Sequence, residues 1–376
     1  EVDEIVECRP SHCSSCQASF PEGPASLPDL TEPLRQQVWD LPPVKPVVTE
    51  YRYHTVTCPQ CQTEVQAPRP PGVPAGAFGP LVTALVALLH GRYRLSAREV
   101  VALLLDVFHL PIGLGSIPEL CRDVNIALAT SYAEAQAAVS EGATANVDET
   151  GWKQAGQRRW LWVAVGAVCT IFVVATKRSA AVLNAMLGSG FKGIVSSDRF
   201  RAYLTVPVER RQICWAHLKR NLTAFWERDG PVGEWGSQSV ALVDKVFGAW
   251  HQFREAKLDR AGLQAELQPM QEEMRLLLER GCDLPLAKAR AFCRDVLGLW
   301  PALWTFVTIE GVDPTNNAAE RALRPAVLWR KGCFGAQSDD GNLFVARILT
   351  ASATCRQQER HLLTFLTDAV LADRAG

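Results

Sequence analysis

Three acidic side chains stand where this sequence could do chemistry. Asp148 ends an apolar stretch in VDETGW, and Asp198 ends another in SSDRFRAY. A residue that closes a strand projects at the sheet edge where open α/β folds bind ligands. Two such carboxylates on neighbouring strands repel, so they share a proton or hold a cation. Hard oxygen donors of this kind suit Mg2+ or Mn2+. On these residues alone a plainer reading stands beside it, in which each Asp only turns the chain out of a strand. Glu320 is the third acid, in DPTNNAAER, about one turn into a helix that Thr315 or Asn316 can cap. Arg321, Arg324, Arg330 and Lys331 follow within eleven residues. A carboxylate beside such cations suits a phosphodiester, the acid holding metal and the cations meeting backbone phosphates. Taken alone, Glu320 reads as a surface residue paired with Arg324 at i,i+4.

Thiols form a second set. Cys13-x2-Cys16 and Cys58-x2-Cys61 are two knuckles separated by 41 residues. Paired turns of this spacing aim four thiolates at one tetrahedral Zn2+. The long separation requires an inserted hairpin or loop, and Cys8 and His12 are alternative ligands. Free buried thiols are the competing reading. Cys214-Trp215-Ala216-His217 offers two more donors sixteen residues after Asp198. His217 is a candidate contact to DNA or a structural histidine, and Trp215 reads as core. Arg210, Arg211, Lys219 and Arg220 make a local basic patch, which is a DNA backbone track or a solvated helix face.

The elements that must position these groups are legible in outline. Residues 50–57 alternate polar with aromatic or β-branched side chains, a strand leading into Cys58. Residues 66–80 hold five Pro and three Gly and read as a linker. Residues 81–140 read as helices, with capping boxes at Ser96/Glu99 and Ser116/Glu119. Val100 to Leu105 is too apolar for an exposed recognition helix, so at least that helix reads as core. From residue 143 the order is β-β-β-α-β. That predicts an α/β sheet whose last strand, 193–198, is central and parallel to the first. Residues 225–305 turn helical again, and Trp226, Trp235, Trp250, Trp300 and Trp304 are read mainly as core. No internal repeat is evident. The apolar stretch 161–175 is shorter than the roughly 20 residues of a spanning helix and suits a hairpin turning at Gly166.

Composition sets the outer bounds. With 48% hydrophobic and 21% charged residues, the 376-residue chain can bury several cores and is not disordered. Its 39 basic and 40 acidic residues leave no global field for nucleic acid, so such a site must be local. Twelve cysteines in a large, core-rich chain predict a reducing, cytoplasmic compartment rather than a disulfide framework. A first residue of Glu rather than Met predicts a processed chain with a segment upstream.

VDETGW, SSDRFRAY, CWAHLKRNL and DPTNNAAERALRPAVLWRKGCFG, in this order, closely resemble the insertion-sequence-66 family of bacterial DDE transposases. The resemblance runs from Cys13 to about Leu366. It implies an α/β multidomain chain with an RNase H-like catalytic core and an α-helical insertion, preceded by a zinc-ribbon-like module and a helical domain. The expected boundaries are a four-cysteine zinc module over 1–65, the linker 66–80, and helices, candidate DNA readers, over 81–142. Core residues 143–224 and 309–335 then flank an insertion over 225–308, and C-terminal helices fill 336–376. The resemblance assigns Asp148, Asp198 and Glu320 as the triad holding two Mg2+ or Mn2+ ions, about 3.5–4 Å apart in such sites. It further implies one structural Zn2+, cleavage of transposon ends to a free 3′-OH, and strand transfer into double-stranded target DNA. A homodimer or larger assembly on DNA, accessory proteins of the same element, no membrane and association with the nucleoid complete these expectations. A nuclease without strand transfer and an inert DNA-binding descendant are the alternatives.

Overall fold

The computed structural model describes residues 2–20, 32–42, 44–71 and 73–375. The chain forms two compact units, Glu1–Lys45 and Pro46–Gly376. The division falls inside the expected 1–65 module, and residues 21–31 of that module lie outside the described residues. Among its described residues the first unit shows a turn closed by a bridge between His12 and Ser19.

The second unit opens with a small antiparallel hairpin, β1 (Thr55–Thr57) and β2 (Glu64–Gln66), paired through Val56 and Val65. The expected strand over 50–57 is thus cut to three residues. Its partner is short and runs into Pro68 and Pro70, which have no N–H to extend a ladder. Four helices follow: α1 (Pro80–Ala87), α2 (Ala97–Phe108), α3 (Ser116–Ala127) and α4 (Ala129–Ser140). The Ser96 box forms, with Glu99 N–H donating to Ser96 Oγ at 3.2 Å and Ser96 N–H to Glu99 Oε2 at 2.7 Å. The Ser116 box does not form. Gly115 takes the cap position and Ser116 is already helical. The helical pattern towards Val139 also breaks, at Leu128 with ψ 0. That bend lets α3 and α4 bury their apolar faces in two different cores.

The main sheet comprises β3 (Thr144–Gln154), β4 (Gln157–Val165), β5 (Thr170–Ala175), β6 (Ile194–Ser197) and β7 (Arg211–Ile213), with α5 (Ala180–Leu187) before β6. Spatial order is β5-β4-β3-β6-β7; the first three are antiparallel, and β6 and β7 run parallel to β3. The strand over 193–198 is parallel to the first as expected, but β3 is central. The difference is β7, a three-residue strand whose Arg211 and Gln212 carry no apolar signal. The β3–β4 turn has Ala155 and Gly156 at φ 46° and 77°, the positive pair that a two-residue hairpin of right-handed twist requires.

Helices α6 (Trp215–Trp226), α7 (Pro231–Arg254), α8 (Arg260–Gly281), α9 (Ala287–Gly298), α10 (Trp300–Leu303) and α11 (Thr305–Thr308) share a core of their own. It takes in Trp215, Leu218 and Leu222, so the helical run starts ten residues before the expected boundary at 225. Trp235, Trp250 and Trp304 are buried in it, whereas Trp226 is half exposed. The chain closes with α12 (Asn317–Cys333), α13 (Asp339–Gln357) and α14 (Leu362–Ala375). These pack with α1–α3 on one sheet face, against Trp152, Leu161, Val163 and Phe172. Helices α4 and α5 cover Ala145, Val147, Trp162 and Ile171 on the other. Among the described residues no helix is long and apolar enough to cross a membrane.

Candidate active site

Strand periodicity sorts the acids. Neighbouring residues of a strand face opposite ways, so Asp148 and Glu149 diverge. Asp148 pairs with Val163, on the face that α12 covers, while Glu149 pairs with Trp162 on the other. Asp198 follows the last residue of β6. Asn146 lies opposite Ser196 in the parallel ladder, so Asp198 leaves β6 in the register of Asp148. Glu320 sits in the first turn of α12. The start of that helix is tied to β3, because Asn316 Nδ2 donates to the Val147 carbonyl at 2.8 Å. Asn316 therefore does not cap α12 through its side chain as expected; its amide is engaged across the sheet edge.

The charges of the other acids reach Asp148. The Asp148 carboxyl is pushed up from 3.8 to about 7. Burial is the main cause; the Glu149 N–H, 2.9 Å from Oδ1, opposes it, and the charges of Glu149, Asp198 and Glu320 add to it. Among the described residues six buried side-chain polar atoms lack a hydrogen-bond partner. Three of them, His217 Nδ1, Asn316 Oδ1 and Glu320 Oε1, lie around the start of α12. Buried atoms left unpaired in this way mark a place where a ligand completes the shell. Oxygen donors brought from β3, the end of β6 and the start of α12 have the chemistry of divalent-cation ligands, while among the described residues the donor atoms that lie within 4.8 Å of one another are those of Cys214, His217 and Glu320.

One acid escaped the sequence reading. Glu149 is only 7% exposed and is held by the Tyr203 hydroxyl and the Arg178 guanidinium. Burial pushes its carboxyl up, while those two partners pull it back. The Arg178 guanidinium also lies 3.5 Å from the Phe200 ring centroid, and the Phe200 N–H donates to Asp198 Oδ1 at 2.8 Å. The network thus braces the turn that carries Asp198. The available signal was a second acid inside a strand, at a position whose neighbours alternate with buried apolar residues.

The basic residues divide into two groups. Arg211 is 1% exposed, inside β7, and its guanidinium reaches the Asp198 carbonyl at 3.4 Å. It is not a surface contact for DNA, because a short buried strand carries it. Arg210 donates to the Phe191 carbonyl, Lys219 pairs with Asp244, and Arg330 binds Thr150 and the Gly151 carbonyl on β3. Arg220, Arg321, Arg324 and Lys331 are exposed. The last three recur at helical spacing along the outer face of α12, one residue round from Glu320. His217 Nδ1 stands 3.4 Å from Glu320 Oε1.

The two cysteine knuckles have the same local build. In the first, Cys13 N–H donates to Ala18 O at 2.9 Å and Gln17 N–H to Cys13 O at 3.0 Å. In the second, Cys58 N–H donates to Thr63 O and Gln62 N–H to Cys58 O, both at 2.9 Å. Gln17 and Gln62, each just after the second cysteine, take φ 61° and 59°. This Cys-x2-Cys-Gln turn is a short local repeat that the sequence reading passed over. The Cys13 thiol is lowered, chiefly by the Cys16 and Ser15 amides. The Cys61 thiol falls to about 7, chiefly through the Thr63 hydroxyl and amide. Thiols that ionise readily in such turns fit a zinc ligand set.

Comparison with known proteins gives these sites a context. The zinc-finger binding domain of transposase IS66 matches residues 10–62. Two proteins of Sinorhizobium fredii (strain NBRC 101917 / NGR234), both described as uncharacterized, are similar to the chain. Protein y4qI is 25% identical over 202 residues, covering 48% of this chain and 36% of the relative. Protein y4hP is 23% identical over 421 residues, covering 98% of this chain and 72% of the relative. The model of the transposase IS66 family matches residues 76–343, well over half of the chain and inclusive of all three acids. The chain therefore belongs to the IS66 family of transposases.

Proposed function

We propose that the chain is a DDE transposase whose RNase H-like core is formed by residues 143–224 and 309–335 around the helical insertion. The observation that carries this reading is the placement of Asp148, Asp198 and Glu320: β3 and β6 run parallel in a register that aligns the two Asp residues, and the start of α12 is tied to β3 through Asn316 and Val147. Three antiparallel strands followed by two parallel ones support the RNase H-like assignment.

Asp148, Asp198 and Glu320 would hold two Mg2+ or Mn2+ ions. Bound there, the ions supply Lewis acidity and neutralise charge on the attacking and leaving oxygens of an in-line phosphoryl transfer. Asp148 must give up its proton to serve as a ligand, which its raised pKa opposes until a cation is present. Arg321, Arg324 and Lys331, with Arg220, track backbone phosphates and set the register of the duplex. Glu149, Tyr203 and Arg178 keep the Asp198 turn in place. No side chain is the nucleophile. Water attacks the scissile phosphate, breaking its bond to the 3′-oxygen to free a 3′-OH and leave a 5′-phosphate, and that hydroxyl then attacks a target phosphodiester, losing its proton and displacing a target 3′-OH. The thiol pairs Cys13/Cys16 and Cys58/Cys61 would be the ligands for structural zinc, a reading supported by the matching turns and the zinc-finger family match. Cutting two ends in concert calls for at least two copies on double-stranded DNA.

The test is product type. An end duplex with flanking DNA, labelled at the 5′ end of the strand whose 3′-OH is to be freed, is incubated with supercoiled plasmid and Mn2+. Joining of the label to plasmid is expected, and it must vanish in Asp198→Asn. Shortened fragments without joining would replace this reading with a nuclease, and no reaction in the presence of binding would leave a DNA-binding descendant.

A further inference from the structure

The Cys214-x2-His217 turn lies outside the triad, yet it meets the triad's helix. The Asn316 N–H donates to Cys214 Sγ at 3.2 Å. The Trp215 N–H donates to the Pro314 carbonyl at 2.9 Å. Both contacts fall on the residues that lead into α12, and Asn316 is itself fastened to β3 through Val147. The start of α12 is thus gripped from the sheet on one side and from the start of α6 on the other. Cys214 and Trp215 are fully buried, so the grip is part of the core. One turn further along α6, His217 Nδ1 faces Glu320 Oε1 across 3.4 Å, and neither atom has another hydrogen-bond partner. Cys214, His217 and Glu320 offer donor atoms within 4.8 Å of one another.

We infer that Cys214 and His217 are positioning residues for Glu320: Cys214 fixes the helix start, and His217 takes one carboxylate oxygen so that the other is presented to a cation. This inference rests on the reading of Glu320 as a metal ligand. Oε1 is the buried oxygen and lies against the imidazole, so Oε2 is the one left to an ion. A separation of 3.4 Å is long for a hydrogen bond. Contacts of this kind are commonly slack before the ligand arrives and tighten once it is bound. The imidazole acts on the carboxylate as an outer partner of a metal site, a class whose loss typically costs about 10–100-fold in metal affinity or activity.

Direct Mn2+ binding to the full chain, followed by electron paramagnetic resonance of the free ion, tests this without relying on turnover. His217→Ala is expected to weaken Mn2+ binding by about 10–100-fold with its unfolding midpoint kept. His217→Asn retains an N–H near the Nδ1 position and is expected to recover most of that loss; His217→Gln, whose amide reaches the Nε2 position, is not. Cys214→Ser keeps an acceptor for Asn316 and should bind Mn2+ better than Cys214→Ala. Should His217→Ala fail to fold, the Asn and Gln variants, alike in polarity, still decide by their difference. Equal Mn2+ affinity in wild type and His217→Ala, or in the Asn and Gln variants, overturns the positioning role. So does a zinc equivalent that disappears in His217→Ala, since Cys214, His217 and Glu320 would then be a zinc site. The underlying reading fails separately, if Asp148→Asn and Glu320→Gln bind Mn2+ as wild type does. Mn2+ lost in Glu320→Gln but intact in His217→Ala sinks the positioning role alone.

Discussion

Asp148→Asn should make the chain more stable while ending its chemistry. The Asp148 carboxyl titrates at about 7 in the fold against an ordinary 3.8. Below the lower value both folded and unfolded chains are protonated there, and the group costs nothing. Between the two values the unfolded chain releases a proton that the folded chain keeps, so stability falls as pH rises; above about 7 the loss is complete. A rise of this size corresponds to roughly 4 kcal/mol, at about 1.4 kcal/mol for each tenfold change in affinity for the proton. Solvent reaches part of this half-buried group, which reduces the figure to about 2–4 kcal/mol. Asn keeps the oxygen that accepts from the Glu149 N–H and carries no charge. Urea unfolding in divalent-free buffer at pH 4 and pH 8 is the assay. The variant should match wild type at pH 4 and exceed it by about 2–4 kcal/mol at pH 8. Saturating Mg2+ should raise wild type at pH 8, by about 2.7 kcal/mol at a hundredfold excess over Kd, and leave the variant unmoved. A variant no more stable than wild type at pH 8 would refute the claim that a carboxylate buried at this position, beside other acids, costs the fold stability.

The other predictions address separate parts of the molecule. Asp198→Asn should lower end cleavage by more than about 100-fold, beyond what outer partners of a metal site cost, while gel-shift affinity for end DNA persists. Arg321→Ala with Arg324→Ala should flatten the dependence of log affinity on log salt by roughly 2, measured by fluorescence anisotropy; an unchanged slope would remove α12 from the DNA track. Cys58→Ser should lower the zinc content measured by atomic absorption, and an unchanged content would remove Cys58 from the ligand set. Gly335 has φ 107°, and a Cβ there would stand 2.1 Å from the Lys153 carbonyl oxygen. Gly335→Ala should therefore destabilise the chain by about 1–3 kcal/mol in urea.

Much of the site was legible because its signals are local. Asp198 shows as an apolar run that stops at an acid, and β6 does end just before it. Asp148 was expected to end its strand in the same way, but β3 runs through it to Gln154, because the hairpin with β4 keeps the ladder going past the apolar run. The Ser96 box shows as two residue types three positions apart, and its bonds join those same residues. The two Cys-x2-Cys turns close over five residues, so sequence alone predicts their form. The Ser116 box failed because the same residue types fit both a cap and a first helical turn, and the choice depends on how Gly115 enters.

What only the tertiary structure decided depends on pairing between distant segments. Strand β7 carries Arg and Gln yet lies buried, because β6 supplies its ladder while the Thr305 hydroxyl donates to the Arg211 carbonyl and the Phe306 N–H to Gln212 Oε1. Its burial removes Arg211 from the DNA-facing surface. Glu149 and Asp148 are neighbours in sequence, and only the sheet, with different helices on its two faces, gives one a brace of Tyr203 and Arg178 and the other a field of acids. Asn316 looks like a helix cap, and the nearness of Val147 draws its amide away. Sequence thus determined which residues could carry charge, sulfur and turns, since those are properties of single residues and short spans. Which of them meet was decided by burial and register, energies that exist only once remote strands and helices exclude water between them.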